Sequence, residues 1–433
     1  MIHDYLELGG LEIANLDRSL TYAQLFRGPG TTFGKPRNQA LYPHILSPGP
    51  YTTPADDNAP WYDPNIPESA GFGGVLMTNL DTPTPWETRP VYTGVSGGGS
   101  VGPLRAGPQR VEVLAWLVGC DEPSLVYGFE WLNRALIGGH YDCDIRPGEA
   151  RSLRAFSGKP RCSCCLGDTP GIHVARYMRT LPNVSVMAMP EVVDTWKRLG
   201  CVLGYQVRFT LVSTSSFSYG EVMETLVGAP TDMQGPFNVS LPDCAQPETE
   251  FSFTPRCFAT ALTSTTTVNT NCWCQPLSVF RSCHTLDNPE SDRAVPHLEI
   301  DTPAAAGGIT ESSNIRVVFY ENRPGDPTLD CGVNESVDWW ECNRKMAVLE
   351  VPVLPQQSKF VFDGQTGRTR IETADGQVHT RGVVQGENGL PLSVPVMRPC
   401  SEMHVVVETD CEATIPGTTW TLGSSTQFVH GGA

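Results

Sequence analysis

Apolar and polar residues alternate with a period of two along much of this chain, which predicts short antiparallel strands with one buried face and one wet face. The pattern is clearest towards the carboxy-terminal end. Lys359–Asp363 is apolar and extended, and Gly364 follows it. Arg368–Thr373 sets Thr369, Ile371 and Thr373 on one side and Arg370 and Glu372 on the other. Asp375-Gly376 then supplies the dipeptide of a type I′ hairpin turn, in which both central residues need positive φ. Val378–Val384 runs back, Met403–Thr409 alternates again, and Thr418–Leu422 closes the set. Strands this short, punctuated by turn signals, predict a two-sheet antiparallel sandwich. With Ile315–Tyr320 as its first strand, that sandwich spans 311–433.

The amino-terminal half reads differently. Tyr5–Leu8 and Leu11–Ala14 are extended runs joined by Gly9-Gly10, which predicts a tight hairpin. Residues 47–68 hold many prolines and predict a long irregular loop or arm. Gly71–Leu80, Arg89–Val95 and Val111–Val118 read as strands. Asp121–Ile137 is the best helix: Asp121 caps it, Pro123 sits in its first turn, Gly138-Gly139 ends it, and Leu125, Phe129, Leu132 and Leu136 share a face. Ile172–Leu181 and Val184–Met189 flank Pro182-Asn183 as a second hairpin. Pro190–Leu199, with Lys197-Arg198 near its end and Gly200 after it, predicts a short helix, and Cys201–Ser213 returns as a strand. Residues 1–230 therefore form one mixed domain, mostly antiparallel sheet. Residues 231–310 lose periodicity in favour of Thr, Ser, Pro and Cys, and read as a cysteine-pinned connector with short strands around Phe251–Phe253. The fold class is mainly β with minor α.

Composition narrows the function. The 433 residues suffice for two or three domains, and the 42 Gly and 37 Pro suit many turns and few long helices. A net charge of −17, spread along the chain, repels phosphate backbones and anionic membrane faces, which argues against nucleic-acid recognition. No apolar run is long enough to span a bilayer, and the start, Met1-Ile-His-Asp-Tyr-Leu, lacks the basic and apolar regions of a signal peptide. The expectation is synthesis in a cytosol without export by the usual route.

Fifteen cysteines fit that address poorly. Three readings stay open: disulfides formed after release from the cell, a zinc site at His140, Cys143, Cys162 and Cys165 despite the lack of paired C-x₂-C knuckles, and buried thiols acting as small hydrophobes. Gly94-Val-Ser96-Gly-Gly98 matches a nucleophile elbow, but the glycine-rich continuation will not start the helix an elbow needs, so a loop is expected. His173, His379 and His404 fall in strands and read as sheet residues rather than ligands. The acidic pairs Asp56-Asp57, Glu408 with Asp410, and Asp410 with Glu412 lack calcium-loop spacing and read as surface solvation. Asn183-Val-Ser, Asn238-Val-Ser and Asn334-Glu-Ser are glycosylation sequons in pattern only. Trp61, Trp86, Trp339, Trp340 and Trp420 read as buried indoles in preference to sugar-stacking platforms. No catalytic residue, metal ligand or cofactor site is assigned.

The order of these pieces resembles a family. The hairpin Leu8-Gly-Gly-Leu-Glu-Ile-Ala-Asn15 opens the chain, and the carboxy-terminal module carries Val353-Leu-Pro-Gln-Gln-Ser-Lys-Phe-Val-Phe-Asp-Gly364, then Gly376, Gly389-Leu-Pro-Leu392 and Val396-Met-Arg-Pro399. Together they resemble the distal tail proteins of long non-contractile-tailed phages, and Ala59-Pro-Trp-Tyr-Asp63 with Tyr127-Gly-Phe-Glu-Trp-Leu132 is similar to the minor tail proteins of actinobacterial phages. The resemblance implies an amino-terminal belt domain that closes a six-fold homo-oligomeric ring, a galectin-like sandwich projecting from it, and a place in the virion between the tail tube protein and the tip hub with its other minor tail proteins. It implies no enzyme activity. A sandwich that binds host cell-wall carbohydrate is the alternative. The arm, the connector and the cysteine load depart from the family pattern.

Overall fold

The computed structural model describes residues 3–27, 51–81, 107–138, 150–156, 177–199, 202–228, 278–288, 292–304, 310–380, 392–410 and 417–428, with short pieces at 87–88, 91–93, 99–101, 105–106, 234–238, 384, 386 and 414–415. It is mostly β, with antiparallel pairing throughout the strands given below and few helices, as the alternation predicts. Two compact units divide it: residues 1–221 with 427–433, and residues 222–426.

In the first unit, β1 (His3–Leu8) and β2 (Leu11–Asn15) form the expected hairpin, with Leu8 opposite Leu11. Gly9 and Gly10 both have positive φ, +61° and +82°, as a type I′ turn requires. Helix α1 (Leu16–Arg27) follows directly, capped by the Asn15 side chain, whose Oδ1 accepts from the Arg18 N–H at 3.3 Å. The periodicity does not announce this helix, because Ser19, Thr21 and Gln24 break up its apolar stripe. Residues 51–66 fold in turns onto this unit, and Tyr51, Ala59 and Trp61 are buried. The stretch is irregular, and Trp61 anchors it, donating to the Phe72 carbonyl at 2.9 Å and meeting Tyr22, Phe72 and Trp131 edge-on.

After the short helix α2 (Pro67–Gly71) come β3 (Phe72–Asp81), β4 (Gln109–Gly119), helix α3 (Glu122–Ile137), β5 (Arg151–Phe156), β6 (Met178–Leu199), β7 (Val202–Ser213) and β8 (Ser218–Tyr219). Asp121 Oδ1 accepts from the Ser124 N–H at 2.9 Å, and Gly138 takes the left-handed conformation that ends α3, as predicted. The sheet runs β2-β1-β5-β6-β7-β4-β3, with β8 beside β6 and residues 427–428 beside β8. Helix α3 packs on it through Leu125, Trp131, Leu132 and Leu136, in one core with Val111, Val113, Leu117 and Phe209. Gly128 costs this helix about 1 kcal/mol relative to Ala. A Cβ there would lie 2.2 Å from the Phe72 ring, so only glycine lets α3 approach β3.

Two expectations fail in β6. Pro182-Asn183 is a bulge inside one continuous strand, with Asn183 at φ +55° and the register slipping between Leu181 and Val184. Proline tolerates this place because a bulge does not need its missing N–H. Pro190–Leu199 is strand, paired with β7 from Glu191 opposite Arg208 to Leu199 opposite Val202. Val192, Val193, Thr195 and Trp196 favour extended backbone over the basic last turn that suggested a helix.

The second unit is a sandwich. One sheet runs β9 (Met223–Gly228), β19 (Thr419–Phe428), β12 (Arg293–Asp301), β15 (Ser358–Asp363), β16 (Arg368–Thr373) and β17 (Val378–His379). The other runs β10 (Gln234–Asn238), β11 (Ser278–Asn288), β18 (Ser401–Asp410), β13 (Glu311–Glu321) and β14 (Lys345–Pro355), with helix α4 (Asn334–Asn343) between β13 and β14. Phe319, Leu349, Val405 and Val407 meet Leu298, Phe360, Phe362, Ile371 and Trp420 between the sheets. The sandwich therefore starts well before residue 311. Strands β11 and β12 lie inside the stretch read as connector, hidden because Arg281, His284, Pro296 and His297 blur their alternation. Phe251–Phe253 lies outside the described residues.

The turn at Asp375-Gly376 also differs. Gly376 has φ +79° but Asp375 is not left-handed. The Gly376 N–H donates to the Thr373 carbonyl at 2.9 Å and the Thr373 N–H to the Gln377 carbonyl at 3.0 Å, the geometry of a three-residue loop with a glycine bulge. Strand β17 is accordingly short, Val378–His379, rather than running on towards Val384.

Candidate interaction surfaces

Three surfaces stand out, and each follows from where a strand puts its alternate residues. The first is the far half of β6. Residues 178–184 pair with β5, and residues 184–199 pair with β7 on the opposite border. Among the described residues no strand pairs with 185–199 on the border that β5 leaves. Met187, Met189, Val192 and Val193 are 58, 41, 45 and 39 % exposed, with Glu191 between them and Asp194 after them. An open backbone border with uncovered apolar side chains is a template for another strand.

The second is the outer face of the five-stranded sheet. Register brings Arg281, Glu408 and Arg316 into one row, Cys283, Val406, Val318 and Val348 into the next, and Thr285, His404 and Tyr320 into a third. Residues 322–344, the loop and α4 between β13 and β14, lie on this face with Trp340 fully buried against Val318, Tyr320, Val348 and Val406. Arg281 Nε and Arg316 Nη1 each reach Glu408 at 2.9 Å, with the Arg281 and Glu408 side chains 2 and 3 % exposed. Arg316 Nη2 and Lys345 reach Glu341 of α4 at 2.5 and 3.1 Å, and the Tyr320 hydroxyl donates to Glu341 at 2.7 Å. Burial raises the Glu341 carboxyl, but Arg316, Lys345 and Tyr320 outweigh it and hold it down at about 2. Glu408 is no solvated surface acid, contrary to the expectation from its spacing with Asp410. A disulfide joins Cys283 of the sheet to Cys331 of the covering segment, and Cys342 of α4 is also disulfide-bonded.

The third is the outer face of the six-stranded sheet, a polar lattice of His297, Glu299, Asp301, Lys359, Asp363, Arg370 and Glu372. His297 Nε2 lies 3.1 Å from Ser425 Oγ and its Nδ1 lies 3.4 Å from Asp363. These distances imitate a nucleophilic triad, but Ser425 is 1 % exposed and also accepts from the Gln365 amide, so no substrate reaches it. Burial lowers the His297 pKa against the pull of Asp363 and Glu299, which keeps the ring neutral.

The residues singled out in the sequence are not brought together. Trp61, Trp340 and Trp420 are buried, as expected, and Trp339 is partly so. His404 stacks edge-on to Trp340 at 4.9 Å, and His379 is exposed on β17. Asp57 accepts from the Tyr22 hydroxyl at 2.8 Å and serves a turn. Ser96, Trp86, His173 and the set His140, Cys143, Cys162 and Cys165 lie outside the described residues. Among the described residues no group of three or more His, Cys, Asp or Glu is placed to hold a metal ion, and no helix is long and apolar enough to cross a membrane. A shallow groove of about 600 Å³ beside α3 is faced by Glu68, Glu122, Glu130 and Arg134, without a Ser, Cys or His among its lining residues.

No family model matches this chain, and no curated protein does. Among solved structures, the Dit protein of phage SPP1, described as a paradigm of the hub adsorption apparatus of phages that infect Gram-positive bacteria, aligns with a TM-score of 0.35 and 10 % identity over 83 % of this chain and 95 % of that one. A likeness this distant carries no argument about function.

Proposed function

We propose that this protein is a structural component of a phage tail tip. In this reading the first unit forms a homo-oligomeric ring, six-fold by the family resemblance, between the tail tube protein and the hub with its attachment proteins. The sandwich is the module the ring displays, the chain performs no turnover, and its final place is the virion. The observation that carries the proposal is the border of β6 at 185–199, unpaired among the described residues, with Met187, Met189, Val192 and Val193 exposed beside it. Copies of one chain complete such borders for each other in closed rings. The motifs that resemble distal tail proteins add the setting.

Light scattering of the full-length protein and negative-stain images test it. Rings with a central hole are expected, and Met187→Glu with Val192→Lys reduces them to protomers. Wild-type protein that stays a protomer at high concentration ends the proposal. The second reading, binding of host-wall carbohydrate, is favoured by the solvated polar face around Glu299, Lys359 and Arg370. A glycan array probed with the full-length protein decides it, with binding lost in Arg370→Ala if that face is the site.

A further inference from the structure

The far half of β6 bounds a block of sheet whose other limit is β3. The block runs β6-β7-β4-β3 and is antiparallel at every step. Helix α1 seals the first half of the outer border of β3. Ser19 Oγ donates to the Val75 carbonyl at 3.3 Å, and a Cβ on Gly73 would lie 3.0 Å from the Phe26 ring. Sealing of this kind is how an edge strand is normally kept from pairing with another chain. Along residues 77–81 no described strand pairs with that border, and Thr78 is exposed. Register carries the two unpaired borders to the same height across the block. Ala188, Thr210, Glu112 and Asp81 form one row, and Glu191, Arg208, Leu114 and Asn79 form the next. Val192, Val207, Ala115 and Met77 form a third. Three antiparallel steps leave β6 and β3 running in opposite directions. A second copy, rotated about an axis along the strands, therefore brings a β6 that is antiparallel to the β3 of the first.

We propose that residues 77–81 of β3 receive residues 187–193 of β6 from a second copy, so that the four-stranded block continues from copy to copy as one antiparallel sheet. The inference rests on the ring reading and names the second border that such a ring needs. Each copy then gives one border and receives at the other, a head-to-tail contact that rotation can close. A two-fold pair joined β6 to β6 would instead use one border twice and leave β3 without a partner. The head-to-tail junction also takes Met187, Met189, Val192 and Val193 out of water along the border where they are exposed.

Complementation between two broken copies of the full-length protein tests the junction. Thr78 has no register partner on β4, where the pairing slips between Met77 and Asn79. Thr78→Pro therefore spares the inner ladder, losing the hydroxyl bond to the Leu114 carbonyl, and obstructs the outer border. Alone, Thr78→Pro stays a protomer in light scattering, as does Met187→Glu with Val192→Lys. Mixed in equal amounts at the concentration where wild type forms rings, the two variants pair and stop at twice the protomer mass. One supplies an intact β6 and the other an intact β3. Rings formed by Thr78→Pro overturn the inference and leave the ring reading standing. A mixture that stays protomeric overturns it too, and wild type that never assembles ends both. If Thr78→Pro does not fold, amide exchange in the wild type decides. Amides of residues 77–81 then exchange on the order of ten times more slowly in rings than in protomers of Met187→Glu with Val192→Lys, and equal rates overturn the junction.

Discussion

The two outer faces of the sandwich use the same residue types and come to opposite ends. On the five-stranded sheet, Arg281, Glu408, Arg316 and Glu341 form a chain of ion pairs beneath a covering segment. On the six-stranded sheet, Lys359 with Glu299 and Arg370 with Glu372 form pairs of contact no longer than those, each partner about 40 % exposed. Contact distance does not tell these pairs apart. What differs is water: in the first face the charges are withdrawn from it, and in the second the solvent replaces any partner that is lost. The lesson is that the covered face is committed to one arrangement, whereas the open face can exchange partners.

The strongest way to break this comparison is Glu408→Gln. It leaves two buried guanidinium groups without their shared carboxylate and is expected to cost about 3–5 kcal/mol, read as a lowered guanidinium midpoint of the sandwich. A loss below 1 kcal/mol would place both faces in the same class. Next comes Cys331→Ser. A disulfide closing a loop of 48 residues contributes about 4 kcal/mol by chain entropy, measured by the same midpoint in non-reducing buffer.

Acid separates the faces in a different way. The Glu341 carboxyl is held at about 2 in the folded chain, below its unfolded value, so its contribution is complete above about pH 4.5. It is lost as pH falls towards 2, and amounts to on the order of 3 kcal/mol. Burial also lowers His404, against Glu402 and Asp326, and His297. Stability from these neutral rings is full above about pH 6.5 and falls as acid protonates the unfolded chain first. Thermal unfolding at pH 7.5, 5.5 and 3 therefore shows two successive losses, and His404→Gln removes part of the first. The smallest effect sharpens the contrast: Glu299→Gln, breaking the pair with Lys359, changes stability by less than about 1 kcal/mol and less still in high salt.

How much of this was readable in the amino-acid order depends on whether the cause was local. The hairpin at Gly9-Gly10, the capped helix after Asp121 and the strands at 358–363 and 368–373 rest on turn chemistry and short-range alternation, and all are present. The Pro190–Leu199 helix failed because pairing with β7, set by residues further along, outweighs a basic last turn. Helices α1 and α4 were missed because their apolar faces are narrow. Glu408 shows the limit most clearly. Its own strand places it on the face of His404 and Val406, which alternation reveals. That the face is covered depends on a segment some seventy residues earlier, which no window around Glu408 contains. The cysteine tie has the same character, since counting thiols leaves every pairing open.

The return of residues 427–428 to pair with Ser218 and Tyr219 makes the sandwich an insertion within the first unit. During synthesis the ribosome must deliver the entire inserted module before β8 can receive its last neighbour. The amino-terminal sheet waits, unfinished at that border, while some two hundred residues emerge. Replacing 222–426 with a short glycine linker would remove the delay and let the remaining unit close as soon as it is made.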